Sequence, residues 1–478
     1  MIVSARAARI AAAAVLALLT ACASAQTRQL PAALAQMLSK QRQMEGDVAV
    51  HVVPVDGGPV LASLNAHVPM NPASTMKVLT SYAALSSLGP DYRWRTGIHL
   101  NGRLDGDVLH GDLVIKGGGD PKFVIEDLNE LVARIRARGL RVIRGDLLLD
   151  DSVYELDERS VEQFDGDPYQ PYNVRPFGVL MNFKAVKFVM KPVNGGVDVV
   201  IDPPLADVEL DVAVKPAPGK CRWGAGGLSI RVGGTQYKPL IRVEGPYSTA
   251  CGEQSTFVAV LTHRQFVHSL FKAAWLAAGG EWVQGRTEIV RGAAKGAPWI
   301  EWVSPRTLAD VVQDINKFSN NVMTRQVLLQ ATTEADRMPA TVERARIWLR
   351  RWYGAMNIDL PELIIDNGSG LSRQERISAR GMASVLLSMA RSPLGETLRL
   401  SLPQVGIDGT MRNRLVGDPL AGRAWLKTGS LDNVRTIAGY LDAASGRRYV
   451  VVMLANGDRA ALSQPAQDAL LRWVYANG

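Results

Sequence analysis

The chain has little with which to hold a metal ion. Its six histidines stand at 51, 67, 99, 110, 263 and 268, and none shows the spacing of a zinc site. His263 and His268 are five positions apart, which puts them on different helical faces. A zinc amidase is disfavoured, and neither a metal nor a cofactor is expected. Cysteine is equally scarce, with Cys22, Cys221 and Cys251 the three copies in 478 residues. Beyond the N-terminal leader no apolar run is long enough to cross a bilayer. Gly117-Gly118-Gly119 lacks the Lys-Ser/Thr that completes a phosphate loop and reads as a turn. Ser369 stands in Gly-Ser-Gly rather than in a Gly-X-Ser-X-Gly elbow and reads as loop. No segment has the pattern of a nucleic-acid-binding module, and the net charge of +8 is spread along the chain. The densest basic cluster, Arg344 to Arg351, sits on a helical pattern that contains Ile347, Trp348 and Leu349 and reads as a solvated helix face.

The leader itself is informative. Arg6 and Arg9 form a basic n-region, Ile10 to Leu19 an apolar h-region, and Ala23-Ser24-Ala25 a small-residue cleavage site, so residues 1–25 read as a signal peptide. Leu19-Thr20-Ala21-Cys22 also has the form of a lipobox, which leaves a lipid-anchored or peripheral membrane association open beside soluble export. Both readings place the mature chain in the periplasm. In that oxidising compartment Cys221 and Cys251 pair as a disulfide or persist as two buried thiols. A composition of 47 % hydrophobic and 21 % charged residues is ordinary for a folded protein, and the length allows two or three domains.

Three short segments carry the chemistry. Asn71-Pro72-Ala73 precedes Ser74, and a helix-compatible run from Thr75 to Leu85 follows until Gly89-Pro90 stops it. Ser74 therefore begins a helix, and Lys77, three positions on, shares its face, as a nucleophile and its base must. Ser319-Asn320-Asn321 is the second segment. Lys427-Thr428-Gly429-Ser430 is the third, on a strand from Arg423 to Leu431 followed by strands Thr436 to Asp442 and Arg448 to Ala455. Any one of these matches arises readily by chance, and the specificity lies in all three occurring in this order.

Spacing sets the domain plan. Ser74 to Ser319 is 319 − 74 = 245 positions, against 427 − 319 = 108 for Ser319 to Lys427. The first gap exceeds what a helical lobe needs, so an insertion is expected at 96–292. It would divide a catalytic domain into 26–95 and 293–478. Short strands at Val108 to Lys116, Lys187 to Lys191, Val197 to Asp202 and Ser229 to Val232 make it mostly β. Helices are expected at Ile125 to Arg138 and Arg264 to Ala278. Asp202-Pro203-Pro204 and Lys215-Pro216-Ala217-Pro218-Gly219 read as loops or as joints between subdomains.

With these motifs go further segments: Gly117 to Pro121, Pro171-Tyr172-Asn173, Asn316 to Asn321, Asp366 to Arg373, Asp408 to Met411 and Ala438-Gly439-Tyr440. Together they resemble the class C low-molecular-mass penicillin-binding proteins, the type-4 D-alanyl-D-alanine carboxypeptidase/endopeptidases of bacterial cell walls. The resemblance runs over nearly the whole mature chain. It implies an α/β penicillin-recognition fold of the serine β-lactamase/transpeptidase kind, with an antiparallel sheet flanked by helices and one or two small inserted domains. It also implies peptidoglycan stem peptides as substrate and β-lactams as covalent inhibitors.

Roles then follow from what acyl transfer demands. Ser74 attacks, and Lys77 acts as its base when neutral, a form favoured by burial and by the second cation Lys427. Ser319 passes a proton to the leaving amine, Asn321 fixes Lys77 and the substrate amide, and Lys427 supplies positive potential. Thr428 and Ser430 bind the terminal carboxylate beside Gly429, and the N–H groups of Ser74 and Ser430 form an oxyanion hole. By resemblance, Arg373 takes the free carboxylate of a diaminopimelate side chain, with Asp150, Asp151, Tyr154 and Asp432 near that pocket. Two other classes stay in view, a β-lactamase and a silent wall-binding scaffold. Against the class A form of the first, and that form only, no Glu-X-X-Leu-Asn occurs between Asn321 and Lys427; against the second, Ser74, Lys77, Ser319 and Lys427 are all present.

Overall fold

The computed structural model describes residues 30–42, 44–156, 164–221, 227–283 and 285–478. The leader, with its cleavage site and Cys22, lies outside them. Among the described residues no helix is long and apolar enough to cross a membrane.

A five-stranded antiparallel sheet organises the catalytic unit, in the order Ala424–Leu431, Val434–Asp442, Arg448–Asn456, Val48–Pro54, Ala62–Leu64. The third of these strands is an almost unbroken apolar run because both its faces are covered. Side chains alternate across a strand, so Val450, Val452 and Leu454 join one core cluster while Val451, Met453 and Ala455 join another. The first face meets helices Lys77–Leu88 and Ala379–Arg391, and the second meets Ala32–Lys40 and Gln464–Asn477. Helices Leu308–Phe318, Asn321–Asp336 and Val342–Ala355 complete a lobe against Lys77–Leu88.

The insertion has its own core around Leu113, Ile115, Phe188, Phe271 and Trp275. Its main sheet has seven strands and is flanked by helices Ile125–Ala137 and His263–Ala277. Two three-stranded sheets, built from segments between Val186 and Val258, complete it. Strand Ile300–Val303 pairs antiparallel with Arg95–Asp105, so the inserted sheet returns beyond the expected boundary at 292. Cys221 and Cys251 form a disulfide.

Two local expectations need correction. Pro216 lies inside strand Glu209–Ala217 rather than in a loop, on the outer strand of its sheet, where a missing N–H is tolerated. The basic helix face is also more than solvated surface. Arg346 pairs with Asp366 and donates to its carbonyl, and Arg350 donates to the Leu363 carbonyl. These arginines tie the helix to the loop that leads into the site.

Candidate active site

Ser74 lies in a 3₁₀ turn, Ala73–Met76, that opens directly into helix Lys77–Leu88. Ala73 has φ of +44°, a left-handed conformation that L-residues adopt at a cost of about 1–2 kcal/mol. The surroundings hold it there. The Ala73 N–H donates to Asn71 Oδ1 at 2.8 Å, and the Pro72 carbonyl accepts from the Thr75 and Thr436 hydroxyls, each at 2.7 Å. Asn71 is anchored in turn by donating to the Ser372 carbonyl at 2.8 Å.

Lys77 is fully buried, and its Nζ meets three oxygens: Ser74 Oγ at 2.9 Å, Asn321 Oδ1 at 2.6 Å and the Ser369 carbonyl. Burial first, and then the charges of Lys427 and Arg325, lower its pKa well below the ordinary lysine value, while Glu375 opposes them. A neutral amine has two N–H donors and one lone pair. Two of its three partners are carbonyl oxygens that only accept. Satisfying both leaves the lone pair for the one partner able to donate, the Ser74 hydroxyl.

Lys427 is likewise fully buried and donates to Ser319 Oγ at 2.9 Å and to the Thr428 carbonyl at 2.8 Å. Burial pushes its pKa down to about 7. Ser319, at φ +58°, is the left-handed residue that ends helix Leu308–Phe318, and Asn320 caps the next helix by accepting from the Met323 N–H. That reversal aims Ser319 and Asn321 at the two lysines.

Two glycines allow the parts to touch. A Cβ on Gly429 would lie 2.2 Å from Thr436 Oγ1 and 2.9 Å from the Ser74 nitrogen. One on Gly370, at φ +82°, would lie 1.9 Å from the Ala73 carbonyl oxygen. The Lys427 strand and the Gly368–Gly370 loop therefore both press on the nucleophile turn.

Sequence reasoning missed several supports. Glu375 Oε1 accepts from the N–H groups of Gly368 at 2.7 Å, Asn367 at 3.0 Å and Asp366 at 3.3 Å, and so shapes the loop carrying the Ser369 carbonyl. Thr410 Oγ1 lies 2.8 Å from Thr428 Oγ1, on a loop pinned where Asp408 pairs with the buried Lys317 at 2.7 Å. Thr410 belongs to a segment singled out in the sequence and Glu375 stands two positions past another, but no pattern in the chain marks either contact. Beside Thr428, Gly429 and Ser430 opens a cavity of about 640 Å³, lined also by Phe318, Arg412 and Arg435.

Of the specificity residues, Arg373 and Asp432 are brought together at 2.7 Å, with the Arg373 guanidinium 4.6 Å from the centre of the Phe164 ring. Asp150, Asp151 and Tyr154 hold the start of the segment that follows strand Leu147–Asp150. Asp150 accepts from the N–H groups of Ser152, Gly292 and Ala294, and Asp151 from that of Val179. The buried Tyr154 hydroxyl bonds Gln330 and the Gln326 carbonyl. The inserted unit reaches Arg373 through Phe164, an aromatic that no spacing marks.

Comparison with known proteins agrees with this architecture. The chain is 26 % identical over 421 residues to the D-alanyl-D-alanine carboxypeptidase DacB of Haemophilus influenzae, covering 83 % of each. It is 26 % identical over 454 residues to the D-alanyl-D-alanine carboxypeptidase of Actinomadura sp., covering 89 % of this chain and 81 % of that one. The crystal structure of penicillin-binding protein 4 from Haemophilus influenzae superposes with a TM-score of 0.78 at 23 % identity, over 93 % of this chain and 99 % of that one, and establishes the common fold. The family model for D-Ala-D-Ala carboxypeptidase 3 (S13) matches residues 30–476, nearly the whole described chain, and the protein belongs to that family of serine peptidases.

Proposed function

We propose that this chain carries out the family reaction, removal of the terminal residue from D-Ala-D-Ala stems of peptidoglycan, through an acyl-enzyme on Ser74. The observation that carries the mechanism is the set of three oxygens around Lys77 Nζ. Lys77 takes the Ser74 proton as the oxygen attacks the penultimate D-Ala carbonyl. The N–H groups of Ser74 and Ser430 face the developing oxyanion, each donor worth about 3 kcal/mol in comparable sites. Ser319, bonded to Lys427, delivers a proton to the leaving amine. The proton taken by Lys77 makes good the one lost from Ser319, so Lys77 is neutral again; it then takes a proton from the water that attacks the ester and returns it to the Ser74 oxygen as the acid product leaves. Thr428 and Ser430 hold the terminal carboxylate, with Thr410 fixing the Thr428 hydroxyl. Arg373, braced by Asp432 and Phe164, takes the free carboxylate of a diaminopimelate side chain. A penicillin presents the same acyl and carboxylate groups and traps Ser74. The reading of residues 1–25 as a signal peptide supports an extracytoplasmic site for this chemistry.

Intact-protein mass spectrometry before and after a fluorescent penicillin tests the mechanism. One long-lived adduct is expected on the native chain and none on Ser74→Ala. Lys77→Ala should slow acylation by about 10²–10⁴-fold, the usual worth of a positioned base. Acylation at the native rate in that variant would remove Lys77 from the role. Rapid adduct turnover would indicate a β-lactamase, and no adduct a silent scaffold. The mass of the mature chain from cells also separates a Gln26 terminus from a lipidated Cys22.

A further inference from the structure

A second cavity, of about 470 Å³, lies inside the inserted unit and shares no residue with the three catalytic segments. Its volume falls within the roughly 300–1,000 Å³ typical of sites that enclose small ligands. Much of its wall is apolar, from Leu156, Val174, Phe177, Val260 and Ile289. Set into that wall is His263, with 7 % of its surface exposed and its ring centre 3.6 Å from that of Phe177, the two rings stacked. Neither of its ring nitrogens has a hydrogen-bond partner among the described residues. Burial, and then the charge of Lys184, lowers its pKa to about 3, so the ring is neutral and presents one N–H donor and one lone pair. Buried polar groups are nearly always satisfied in folded proteins, and an exception inside a cavity points to something that completes it. The charge around His263 is one-sided. Lys184 Nζ donates to the carbonyls of Ala259 at 3.2 Å and Leu261 at 2.6 Å, which leaves one of its three N–H groups open. It has no acidic partner among the described residues, and burial alone lowers its pKa, to about 8, so it stays largely charged at neutral pH. Arg291, also lining the cavity, is exposed and has no ion pair among the described residues. Arg264 is held by Glu288 at 2.6 Å, and Asp151, the one acid in the wall, accepts from the Val179 N–H at 2.7 Å. The wall also contains the start of helix His263–Ala277. Thr262 accepts from the Gln265 N–H, while the N–H groups of His263 and Arg264 have no partner among the described residues. An open helix N-terminus favours negative charge.

We infer that this cavity is a non-catalytic binding site for a small organic carboxylate with an apolar body, its charge met by His263, Lys184 and the start of the helix. The donors define the charge. One buried ammonium balances one negative charge, whereas a phosphate dianion would carry a second into apolar surroundings at high cost. The wall defines the rest of the ligand. A small hydrated anion would leave the apolar side chains uncovered, and an alkyl or aryl body buries them. The position of the site ties it to the rest of the molecule. Val174 and Ala259, with Phe177 packed against them, form a small apolar cluster with Val322, the residue after Asn321. The Phe177 N–H also donates to Gln326 Oε1 at 2.7 Å on the same catalytic helix. A ligand against His263 and Phe177 therefore braces the junction of the two units, and by mass action it stabilises the folded chain.

The test is isothermal calorimetry on the full chain with phenylbutyrate and octanoate, each beside its neutral primary amide. At least one carboxylate should bind, and about tenfold or more tighter than its amide, because hydrogen bonds to the charged group carry the difference. His263→Phe keeps a ring against Phe177 and removes both nitrogens. It should weaken binding about tenfold and, having shed an unpaired buried polar group, melt no lower than the native chain. Lys184→Met should weaken binding at least as much, and Lys184→Arg should keep most of it. Binding should survive prior acylation of Ser74 by penicillin, which fills the catalytic carboxylate site. Failure of both acids to bind, or amides that bind as tightly as the acids, overturns the inference. So does a His263→Phe chain that melts markedly lower with its binding unchanged, which would make the histidine a packing residue. Binding lost after acylation would put the carboxylate in the catalytic cleft and overturn it equally.

Discussion

At the scale of single residues the site is a stability liability held in place by its neighbours. Two lysines are fully buried beside one another, and burial lowers both their pKa values. For Lys427 the shift from 10.5 to about 7 corresponds to roughly 5 kcal/mol of burial cost. Its sign follows from proton counting. Between about pH 7 and 10.5 the unfolded chain binds a proton at this position that the folded chain does not, so stability rises with pH in that window. The cost is therefore full below about pH 7 and gone above 10.5. Lys427→Met removes the titrating group at the expense of two hydrogen bonds, worth about 1 kcal/mol each. The variant should melt higher than the native chain at pH 6.5, with the gap closing by pH 10, while acylation by penicillin collapses. A gap that ignores pH would show that burial of this charge is not what the fold tolerates. The Ser74–Lys77 pair was legible in sequence because three positions along a helix bring side chains together. The strained Ala73 was not, since nothing local asks an alanine for a positive φ.

At the scale of elements the decisive piece is the Asp366–Gly370 loop. It supplies one carbonyl to Lys77, presses Gly370 onto the nucleophile turn, and is itself gathered by a single carboxylate oxygen of Glu375. In sequence Gly368-Ser369-Gly370 falls in a segment that carries the family resemblance, but by itself it reads as a loop, and no side chain in it marks a contact with Lys77. The reason is that its function resides in backbone atoms, which any residue possesses. Glu375 makes this testable. Glu375→Ala strands three buried N–H donors, a penalty of about 1–3 kcal/mol for each one left unpaired, and should lower both the melting temperature and the acylation rate by more than tenfold in the latter. Glu375→Gln keeps an acceptor oxygen in place and should restore most of the stability. It also removes the negative charge that props up the Lys77 pKa, so the acid limb of the acylation rate should move to lower pH. A Gln variant with restored stability and an unmoved acid limb would reduce Glu375 to a brace for the loop, without influence on the base.

At the scale of the whole molecule, the catalytic sheet and the existence of a large β-rich insertion were visible in the chain, through alternating apolar strands and the gap between motifs. Its far boundary was not, because Ile300–Val303 is recognised only by pairing with Arg95–Asp105 some 200 positions earlier. The same holds for Phe164, whose meeting with Arg373 is a matter of how the two units dock. Each unit has its own apolar core, so their stabilities need not move together. The disulfide exposes that division, because Cys221 and Cys251, 30 positions apart, both lie within the insertion and far in sequence from Ser74. Closing a loop of that length contributes about 3–4 kcal/mol, chiefly by restricting the unfolded chain. Reduction, or the pair of substitutions Cys221→Ala and Cys251→Ala, should therefore lower the melting of the inserted unit by several degrees. Penicillin acylation at 25 °C should keep its native rate, because Ser74, Lys77, Ser319 and Lys427 are all carried by the catalytic unit. Calorimetry on the oxidised and reduced chain should resolve this as a transition that moves against one that stays. A single transition shifting as a whole would mean that the two cores unfold together, and a matching loss of acylation would mean that the insertion props the cleft open through the Phe164–Arg373 contact.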